Sequence, residues 1–139
     1  MNCKIQKSKL NGRITCPSNK SYTHRAIFLA ALSDGKSIVK KILRSNDTIS
    51  TINACRGFGV EVEEVEDKVT INNTIDSTVE NSMIDAGNSG TTIRIAIAIA
   101  GLSGGNTKLT GDESLRKRPM QPILDALETM GVKTESDDG

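Results

Sequence analysis

Aromatic side chains are almost missing from this sequence, which contains no tryptophan, one tyrosine and two phenylalanines among 139 residues. Surfaces that bind single-stranded nucleic acid stack bases on aromatic rings, so this scarcity argues against that class of protein. Positive charge is not in excess either, because 18 Lys+Arg face 17 Asp+Glu. A non-specific nucleic-acid binder needs a broad basic surface. The sequence therefore predicts an aliphatic core, no nucleic-acid partner and, at most, a local anion site.

Cysteine, histidine and long apolar runs are also scarce. Cys3, Cys16 and Cys55 are odd in number and form no CxxC pair, which is typical of reduced thiols rather than of a disulfide framework. His24 is the only histidine, so a multi-histidine metal site is excluded, and we expect this residue on a helix surface. The longest apolar run, 95–102, is too short to span a bilayer, and the first residues lack a secretory signal. We expect a cytoplasmic protein without a metal or a membrane segment.

What the sequence does contain is a degenerate repeat. Residues 25–37 align with residues 94–107, and residues 55–61 with residues 127–133, at offsets of 70 and 72. Hydrophobic spacing and glycine positions predict turn, helix, strand, helix and strand in each copy. We therefore expect an α/β fold made of two similar units.

The first helix is predicted over about 21–32, where Ser18 or Ser21 can cap it, and the second begins at a cap on Asn46 or Asp47. We expect the second helix to end at Gly57 or Gly59, strands over 38–42 and 108–110, and a hairpin of 60–65 with 69–71. A later helix is predicted with Pro119 in its first position and an end at Gly131. Its apolar stripe consists of Met120, Ile123, Leu124, Leu127 and Met130.

The second copy lacks one element of the first. An offset of 72 places Asp67 on Gly139, so nothing corresponds to the return strand 69–71. Because natural domains seldom stop inside a repeating unit, we expect this chain to be a fragment. An unpaired strand edge would then invite self-association as a result of truncation.

The first candidate site is the segment 17–25, which leads into the first helix. The free N–H groups and dipole of a helix start attract anions, and Lys20 and Arg25 add mobile positive charge. Ser21 and Arg25 are four residues apart and share a helix face, so they can converge with Lys20 on one phosphate or carboxylate. The alternative is a capped helix with solvated cations.

Two further segments repeat this pattern. In 85–94, small residues let an anion approach the backbone, Asn88 or Ser89 can cap the helix, and Thr91 and Arg94 lie near its start. This segment matches neither GxxxxGK[ST] nor GxGxxG, which argues against nucleotide binding by those motifs. In 111–120, three cations stand directly before a helix, the last of them Arg118. A glycine turn with a surface arginine and a solvated basic loop are the corresponding alternatives.

Taken in order, the three segments resemble the 5-enolpyruvylshikimate-3-phosphate (EPSP) synthase family, and the similarity covers nearly the whole chain. The matching stretches are 17–26, 87–94 and 111–120. The resemblance implies two lobes built of βαβαββ units in an inside-out α/β barrel, of which this chain would supply about two units, the second truncated. It places a leading strand in 1–18 with a missing C-terminal lobe, a first unit in 19–82 and a second in 83–139.

The resemblance also implies transfer of the enolpyruvyl group from phosphoenolpyruvate to the 5-hydroxyl of shikimate 3-phosphate, in the pathway to chorismate and aromatic amino acids, with no cofactor. By motif position, Lys20 would be catalytic and contact both substrates, and Ser21 and Arg25 would bind shikimate 3-phosphate. The phosphoenolpyruvate site would be lined by Asn88, Gly90, Thr91 and Arg118, with Arg94 supporting it.

Gly90 is the small position at which the family's sensitivity to glyphosate is set, so we expect the parent enzyme to be inhibited by it. The UDP-N-acetylglucosamine enolpyruvyl transferases share the fold, but they carry a Lys-Asn pair where this chain has Lys20 and Ser21, and a cysteine near the third segment, whereas no cysteine follows Cys55 here. A non-catalytic anion-binding module is the other alternative. We expect the isolated chain to bind substrate without turnover.

Overall fold

The computed structural model of the protein describes residues 3–76, 79 and 82–137. Helices and strands are interspersed along these residues, which confirms the predicted α/β class. Their order is α1 (Lys20–Leu32), β1 (Ser37–Val39), α2 (Asn46–Gly57), β2 (Val62–Val65), β3 (Lys68–Ile71), β4 (Ser82–Asp85), α3 (Gly90–Ala100), β5 (Thr107–Thr110), α4 (Glu113–Arg116) and α5 (Gln121–Thr129).

The strands form two small sheets. In the first, β3 lies between β1 and β2 and is antiparallel to both, with Ile71 opposite Ser37 on one side and Val62 on the other. The predicted hairpin of β2 with β3 is therefore confirmed. In the second sheet, β4 and β5 are parallel, and α3 connects them. A parallel pair needs such a crossover, which leaves the start of α3 beside the carboxyl end of β4.

The elements follow the predicted repeat. The start of α1 at Lys20 and the start of α3 at Gly90 are 70 residues apart, as are the starts of β1 and β5 at Ser37 and Thr107. The short helix α4 has no counterpart in the first copy and was not predicted. It stands in the basic segment 111–120, directly before α5.

The core is aliphatic, as the composition predicts, and α2 lies at its centre. Helix α2 packs on α1, α3 and β4, and its Ile52 is fully buried. The buried face of α1 carries Ile27, Phe28 and Ala31. His24 lies on the same face, because residues 24, 27, 28 and 31 have the spacing of one helical stripe. It is 0% exposed, so its predicted position on the helix surface is wrong.

The predicted helix caps are also wrong for α1 and α2. Asn19, not Ser18 or Ser21, caps α1, and Ser45, not Asn46 or Asp47, caps α2 in a capping box with Thr48. Each segment holds consecutive short polar residues, and any of them satisfies the same free N–H groups, so sequence alone does not choose among them.

Helix α5 starts later than predicted. Its first residue is Gln121 with Pro122 in the first turn, so Pro119 lies in the preceding loop rather than in the first helical position. Of the predicted stripe, Met120 and Leu124 are buried, whereas Met130 is 77% exposed.

Residues 3–19 form no regular secondary structure, so the predicted leading strand is not seen there. The side chains of Ile5, Leu10 and Ile14 are 89%, 95% and 90% exposed. A strand needs a paired neighbour, and this segment lies away from the core. Among the described residues, no helix has the length and apolarity needed to cross a membrane.

Candidate functional site

The start of α1 carries the first group of predicted site residues. Asn19 Oδ1 accepts the N–H of Tyr22 at 3.0 Å. The N–H groups of Lys20 and Ser21 belong to the first turn, where an α-helix offers no acceptor of its own. They are therefore oriented to bind an anion.

The side chains of Lys20 and Arg25 at this helix start are held differently. Lys20 Nζ donates to Asp47 Oδ2 at 2.7 Å, which ties it to the first turn of α2. Arg25 Nε donates to the carbonyl of Ser21 at 3.3 Å, and its guanidinium lies 5.4 Å from the centre of the Tyr22 ring. Ser21 and Arg25 therefore share a face of α1, as their spacing predicts.

The start of α3 repeats this arrangement with smaller residues. Ser89 is the N-cap, one of the two caps predicted, and its Oγ accepts the N–H of Thr92 at 3.2 Å. Gly90 and Thr91 then supply the N–H groups that have no acceptor within the helix.

Two guanidinium groups meet over the first residue of α3. A Cβ added to Gly90 would lie 2.9 Å from Arg118 Nη1 and 3.0 Å from Arg94 Nη1. Arg94 is held there by the carbonyls of Gly90 and Pro119, at 3.2 and 3.4 Å. In the part of the chain that the structure describes, neither arginine forms a salt bridge. Two like charges beside free N–H groups are stabilised when an anion binds between them.

Asp112 fixes the position of Arg118 through Asn88. Asn88 Nδ2 donates to Asp112 Oδ2 at 2.7 Å, and Asn88 Oδ1 accepts from Arg118 Nη2. The N–H of Leu115 and the Asn88 amide, with Arg118 nearby, hold the pKa of the Asp112 carboxyl below its usual value. Asp112 is therefore ionised at neutral pH and orients the Asn88 amide toward Arg118.

The segment after β5 lies close to the turn before α3. The N–H of Asp112 donates to the carbonyl of Gly87 at 2.8 Å. A Cβ on Gly111 would lie 2.6 Å from that carbonyl oxygen, a distance that no larger residue tolerates. Gly111 is thus needed for the third segment to bring Arg118 to the start of α3.

Asp47 joins the two helix starts. Its carboxylate binds Lys20, and its backbone carbonyl oxygen lies 3.4 Å from the hydroxyl oxygens of both Thr51 and Thr92. Lys20 at the start of α1 and Thr92 in the first turn of α3 therefore contact the same residue of α2. Asp47 is thus a hydrogen-bond acceptor for Lys20 and not the predicted cap of α2.

A chain of buried polar side chains runs behind these helix starts. His24 Nδ1 lies 2.6 Å from Thr51 Oγ1, Thr51 Oγ1 lies 2.7 Å from Thr92 Oγ1, and Thr92 donates to Ser89 Oγ at 2.7 Å. All four residues are at most 1% exposed. The pKa of His24 lies below its ordinary value, mainly because the side chain is buried. The negative charge of Asp47 acts in the opposite direction and raises the pKa, whereas the positive charge of Lys20 lowers it further.

The structure brings four of the eight predicted site residues into one group. Asn88, Gly90, Arg94 and Arg118 form one group at the start of α3. Lys20 is linked to that group through Asp47 and Thr92, whereas the contacts of Arg25 described above are within α1. The remaining predicted residues, Ser21 and Thr91, lie in the first turns of α1 and α3.

Sequence reasoning missed the residues that hold the site together. Asp112 lies in the predicted third segment and is the N-cap of α4, where its side chain accepts the N–H of Leu115. Because Asp is a preferred N-cap residue, its position could have identified it from the sequence. Thr51 and Thr92 have no such signal, because a threonine inside a helix pattern does not show which helix it faces. The other cations of the segment face solvent, and Lys117 pairs with Glu113 at 2.6 Å. Within the described ranges, no three His, Cys, Asp or Glu side chains cluster as metal ligands.

Known proteins are similar to this chain in sequence and in fold. A family model described as EPSP synthase (3-phosphoshikimate 1-carboxyvinyltransferase) matches residues 5–139. A protein of Nitrosopumilus maritimus named 3-phosphoshikimate 1-carboxyvinyltransferase is 52% identical over 139 residues, which are 100% of this chain and 33% of that protein. A protein of the same name from Methanothermobacter thermautotrophicus is 45% identical over 137 residues, 98% of this chain and 33% of that protein.

A solved structure described as EPSP synthase from Acinetobacter baumannii superposes with a TM-score of 0.77 at 33% identity, covering 92% of this chain and 30% of that one. The chain thus spans about a third of the length of the relatives it matches. The likeness supports the predicted α/β fold of enolpyruvyl transferases.

Proposed function

Because this chain belongs to the EPSP synthase family, we propose that it forms part of the active site of an enolpyruvyl transferase. In the reaction, the 5-hydroxyl oxygen of shikimate 3-phosphate bonds to C2 of phosphoenolpyruvate and gives up its proton, while a proton adds to the methylene carbon. Loss of phosphate from C2 and of one proton from the resulting methyl group then restores the double bond. The chain supplies positive groups for the substrates. The rest of the family's chain, including its C-terminal lobe, supplies the opposite wall of the cleft.

The observation that carries this proposal is the convergence of Arg94 and Arg118 on Gly90. The two substrates bring two phosphates and two carboxylates together, so the cleft must stabilise several negative charges at once. Fixed guanidinium groups and helix N–H groups do so without reorganising during the reaction. The phosphoenolpyruvate site is proposed here, with Asn88 and Thr91 as further contacts.

Lys20, Ser21 and Arg25 are proposed to bind shikimate 3-phosphate at the start of α1. The Lys20 side chain is 50% exposed and its Nζ is 2.7 Å from Asp47 Oδ2, so the ammonium stands at the surface between the two helix starts. There it can contact both substrates and serve as an acid or base in the proton transfers. Its ion pair with Asp47 limits the rotation of the side chain.

We further propose that the protein works in a reducing compartment, the cytoplasm. Cys3, Cys16 and Cys55 are free thiols. Burial raises the pKa of Cys55 to about 12, so it is protonated and takes no part in the chemistry. Self-association of the isolated chain stays a prediction.

Titration of the isotope-labelled chain tests the proposal. We expect shikimate 3-phosphate to shift the amide resonances of Lys20 and Ser21, and phosphoenolpyruvate to shift those of Gly90 and Thr91. Lys20→Ala and Arg118→Ala should each weaken binding of the substrate they contact. Lys117→Ala is the matched control, since Lys117 is in the same segment and pairs with Glu113. Equal shifts with UDP-N-acetylglucosamine would support the rival transferase, and no shift with any substrate would contradict a site in this chain.

A further inference from the structure

The carboxylate of Asp112 stands close to the proposed phosphoenolpyruvate site, although that site has to bind an anion. Asp112 Oδ2 lies 2.7 Å from Asn88 Nδ2, and Asn88 Oδ1 accepts from Arg118 Nη2, so one side chain separates the carboxylate from the guanidinium. By Coulomb's law alone, a negative charge at this place weakens the binding of an anion. The contacts of Asp112 show what offsets this cost.

Asp112 is held in place although its side chain is exposed. Its N–H donates to the carbonyl of Gly87 at 2.8 Å, and its Oδ1 accepts the N–H of Leu115 at 2.8 Å as the N-cap of α4. Its Oδ2 is the atom that faces Asn88. The carboxylate therefore has a fixed position between the turn before α3 and the short helix that precedes Arg118.

The Asn88 amide has one orientation that suits both of its neighbours. A carboxylate can only accept a hydrogen bond and a guanidinium can only donate one, whereas an amide accepts at one end and donates at the other. With Nδ2 toward Asp112, Oδ1 faces Arg118, and this is the observed arrangement. Without the carboxylate, the amide could turn over and present a donor to Arg118. Asp112 thus determines that Arg118 finds an acceptor in Asn88.

We propose that Asp112 is a positioning residue for phosphoenolpyruvate, which holds the Asn88 amide in the orientation that keeps Arg118 in place. Arg118 Nη1 and Arg94 Nη1 lie within 3.0 Å of a Cβ added to Gly90, so a guanidinium that moves away from Asn88 leaves this pair. Asp112 acts through Asn88 and does not contact the substrate. The inference rests on the proposed function, because the anion is the phosphoenolpyruvate of that site.

Calorimetric titration of the chain with phosphoenolpyruvate tests the proposal. Asp112→Asn keeps the cap of α4, because asparagine caps a helix as well as aspartate does. With its Oδ1 on the N–H of Leu115, the new side chain turns its Nδ2 toward the Nδ2 of Asn88, and two donors form no hydrogen bond. We expect the affinity to fall about fivefold, the loss typical of one hydrogen bond.

Glu113→Gln is the matched control, since it removes the same charge one residue further along, from an exposed side chain that pairs with Lys117. The affinity should stay the same or rise by at most about twofold, because an exposed charge has little effect. An Asp112→Asn chain that binds as well as the original or better would overturn the inference. An equal fall in the Glu113→Gln chain would overturn it as well, because the loss would then follow the charge and not the Asn88 amide.

The same change in an Asn88→Ala chain separates positioning from a role in α4. That chain has no amide to orient, so Asp112→Asn should cost no further affinity, and the two changes are non-additive. A loss as large as in the original chain would show that Asp112 acts through α4, and would overturn the inference. If Asp112→Asn does not fold, Asp112→Ser replaces it, because serine is also a preferred cap and carries no charge.

The side-chain amide resonances of Asn88 give a readout that needs no substrate. We expect one of its N–H protons to lie downfield, as a donor to a carboxylate, in the original and Glu113→Gln chains, and to lose that shift in Asp112→Asn. An unchanged shift would contradict the proposed orientation. If the original chain binds no phosphoenolpyruvate, the proposed function fails and the inference fails with it. If it binds and Asp112→Asn makes no difference, only the inference fails.

Discussion

At the scale of single residues, the site depends on two positions where the side chain is either absent or buried. Gly90 leaves room for two guanidinium groups at the start of α3, and His24 ends a hydrogen-bonded chain inside the core. Gly90→Ala adds one methyl group where two cations already lie within 3.0 Å.

We predict that Gly90→Ala weakens phosphate binding by at least about tenfold, because hydrogen bonds to charged groups contribute roughly 1.5–3 kcal/mol each and the new Cβ displaces two of their donors. Calorimetric titration measures it. Gly101→Ala is the matched control, because Gly101 is at the other end of α3 with an ordinary helical φ of −63°, and its Cβ would meet the flexible end of Leu127. Equal loss in both variants would show that the effect comes from the helix and not from the arginines.

We also predict that the chain loses stability in mildly acidic solution because of His24. Burial holds the pKa of His24 in the folded chain below its ordinary value of 6.5. Between those two pKa values the unfolded chain binds more protons than the folded one, so the free energy of unfolding falls as pH falls through this window. Urea unfolding at a series of pH values measures it.

His24→Gln is the control for that series, since His24 is the only histidine and the carboxylates titrate alike in both chains. The variant should show a flatter dependence above about pH 5, where few carboxylates change charge. Identical profiles for the two chains would contradict a buried, neutral His24.

At the scale of elements, α2 is the piece that turns two repeats into one site. It packs on α1, α3 and β4, and its residue Asp47 contacts both Lys20 and Thr92. The repeat places similar helix starts 70 residues apart in sequence, and α2 sets how they meet in space. Packing of this helix therefore controls both stability and the geometry of binding.

We predict that Ile52→Ala destabilises the chain by about 2–5 kcal/mol, the range for removing a large aliphatic side chain from a packed core. Ile52 is 0% exposed, whereas Ile49 in the same helix is 38% exposed. Ile49→Ala should cost about 1 kcal/mol or less, as surface substitutions do. Denaturant unfolding compares the two, and similar costs would mean that α2 is not packed as described.

At the scale of the whole molecule, the chain spans about a third of its relatives, so it holds only part of the proposed cleft. We predict that it does not turn over substrate alone, because the groups of the opposite wall are not in it. Joined to the remaining two thirds of the Nitrosopumilus maritimus relative, it should release phosphate from phosphoenolpyruvate when shikimate 3-phosphate is present. Turnover by the isolated chain would refute this division of the site.

The joined enzyme allows a sharper test of Lys20 and Gly90. Lys20→Ala should lower kcat by about a hundredfold, the lower range for an acid or base group, while Lys117→Ala leaves it unchanged.

Glyphosate should inhibit the joined enzyme, since Gly90 leaves the site open. An insensitive enzyme would show that another position controls access.

The sequence predicted those parts of the fold that depend on interactions between residues close together in the chain. The periodicity of apolar residues predicted α1, α2, the β2 and β3 hairpin and β5, because these depend on neighbours within one element. The position of His24 was not predictable in this way, since a single histidine on an apolar stripe is read as polar until its partner, Thr51 on another helix, is known. The predicted caps of α1 and α2 were wrong for a similar reason, because neighbouring Ser, Asn and Asp residues are equivalent cap candidates in a sequence.

The sequence by itself determined the α/β class, the repeat, the motifs and the family they resemble, because those follow from composition, spacing and short segments. Only the tertiary structure decided that Arg94 and Arg118 meet over Gly90 and that Asp112 orients Asn88. It also decided that Asp47 and the buried hydrogen bonds of His24, Thr51 and Thr92 tie three helices together. These contacts join residues far apart in the chain, and their geometry depends on how α2 packs between the two units, which no local pattern encodes.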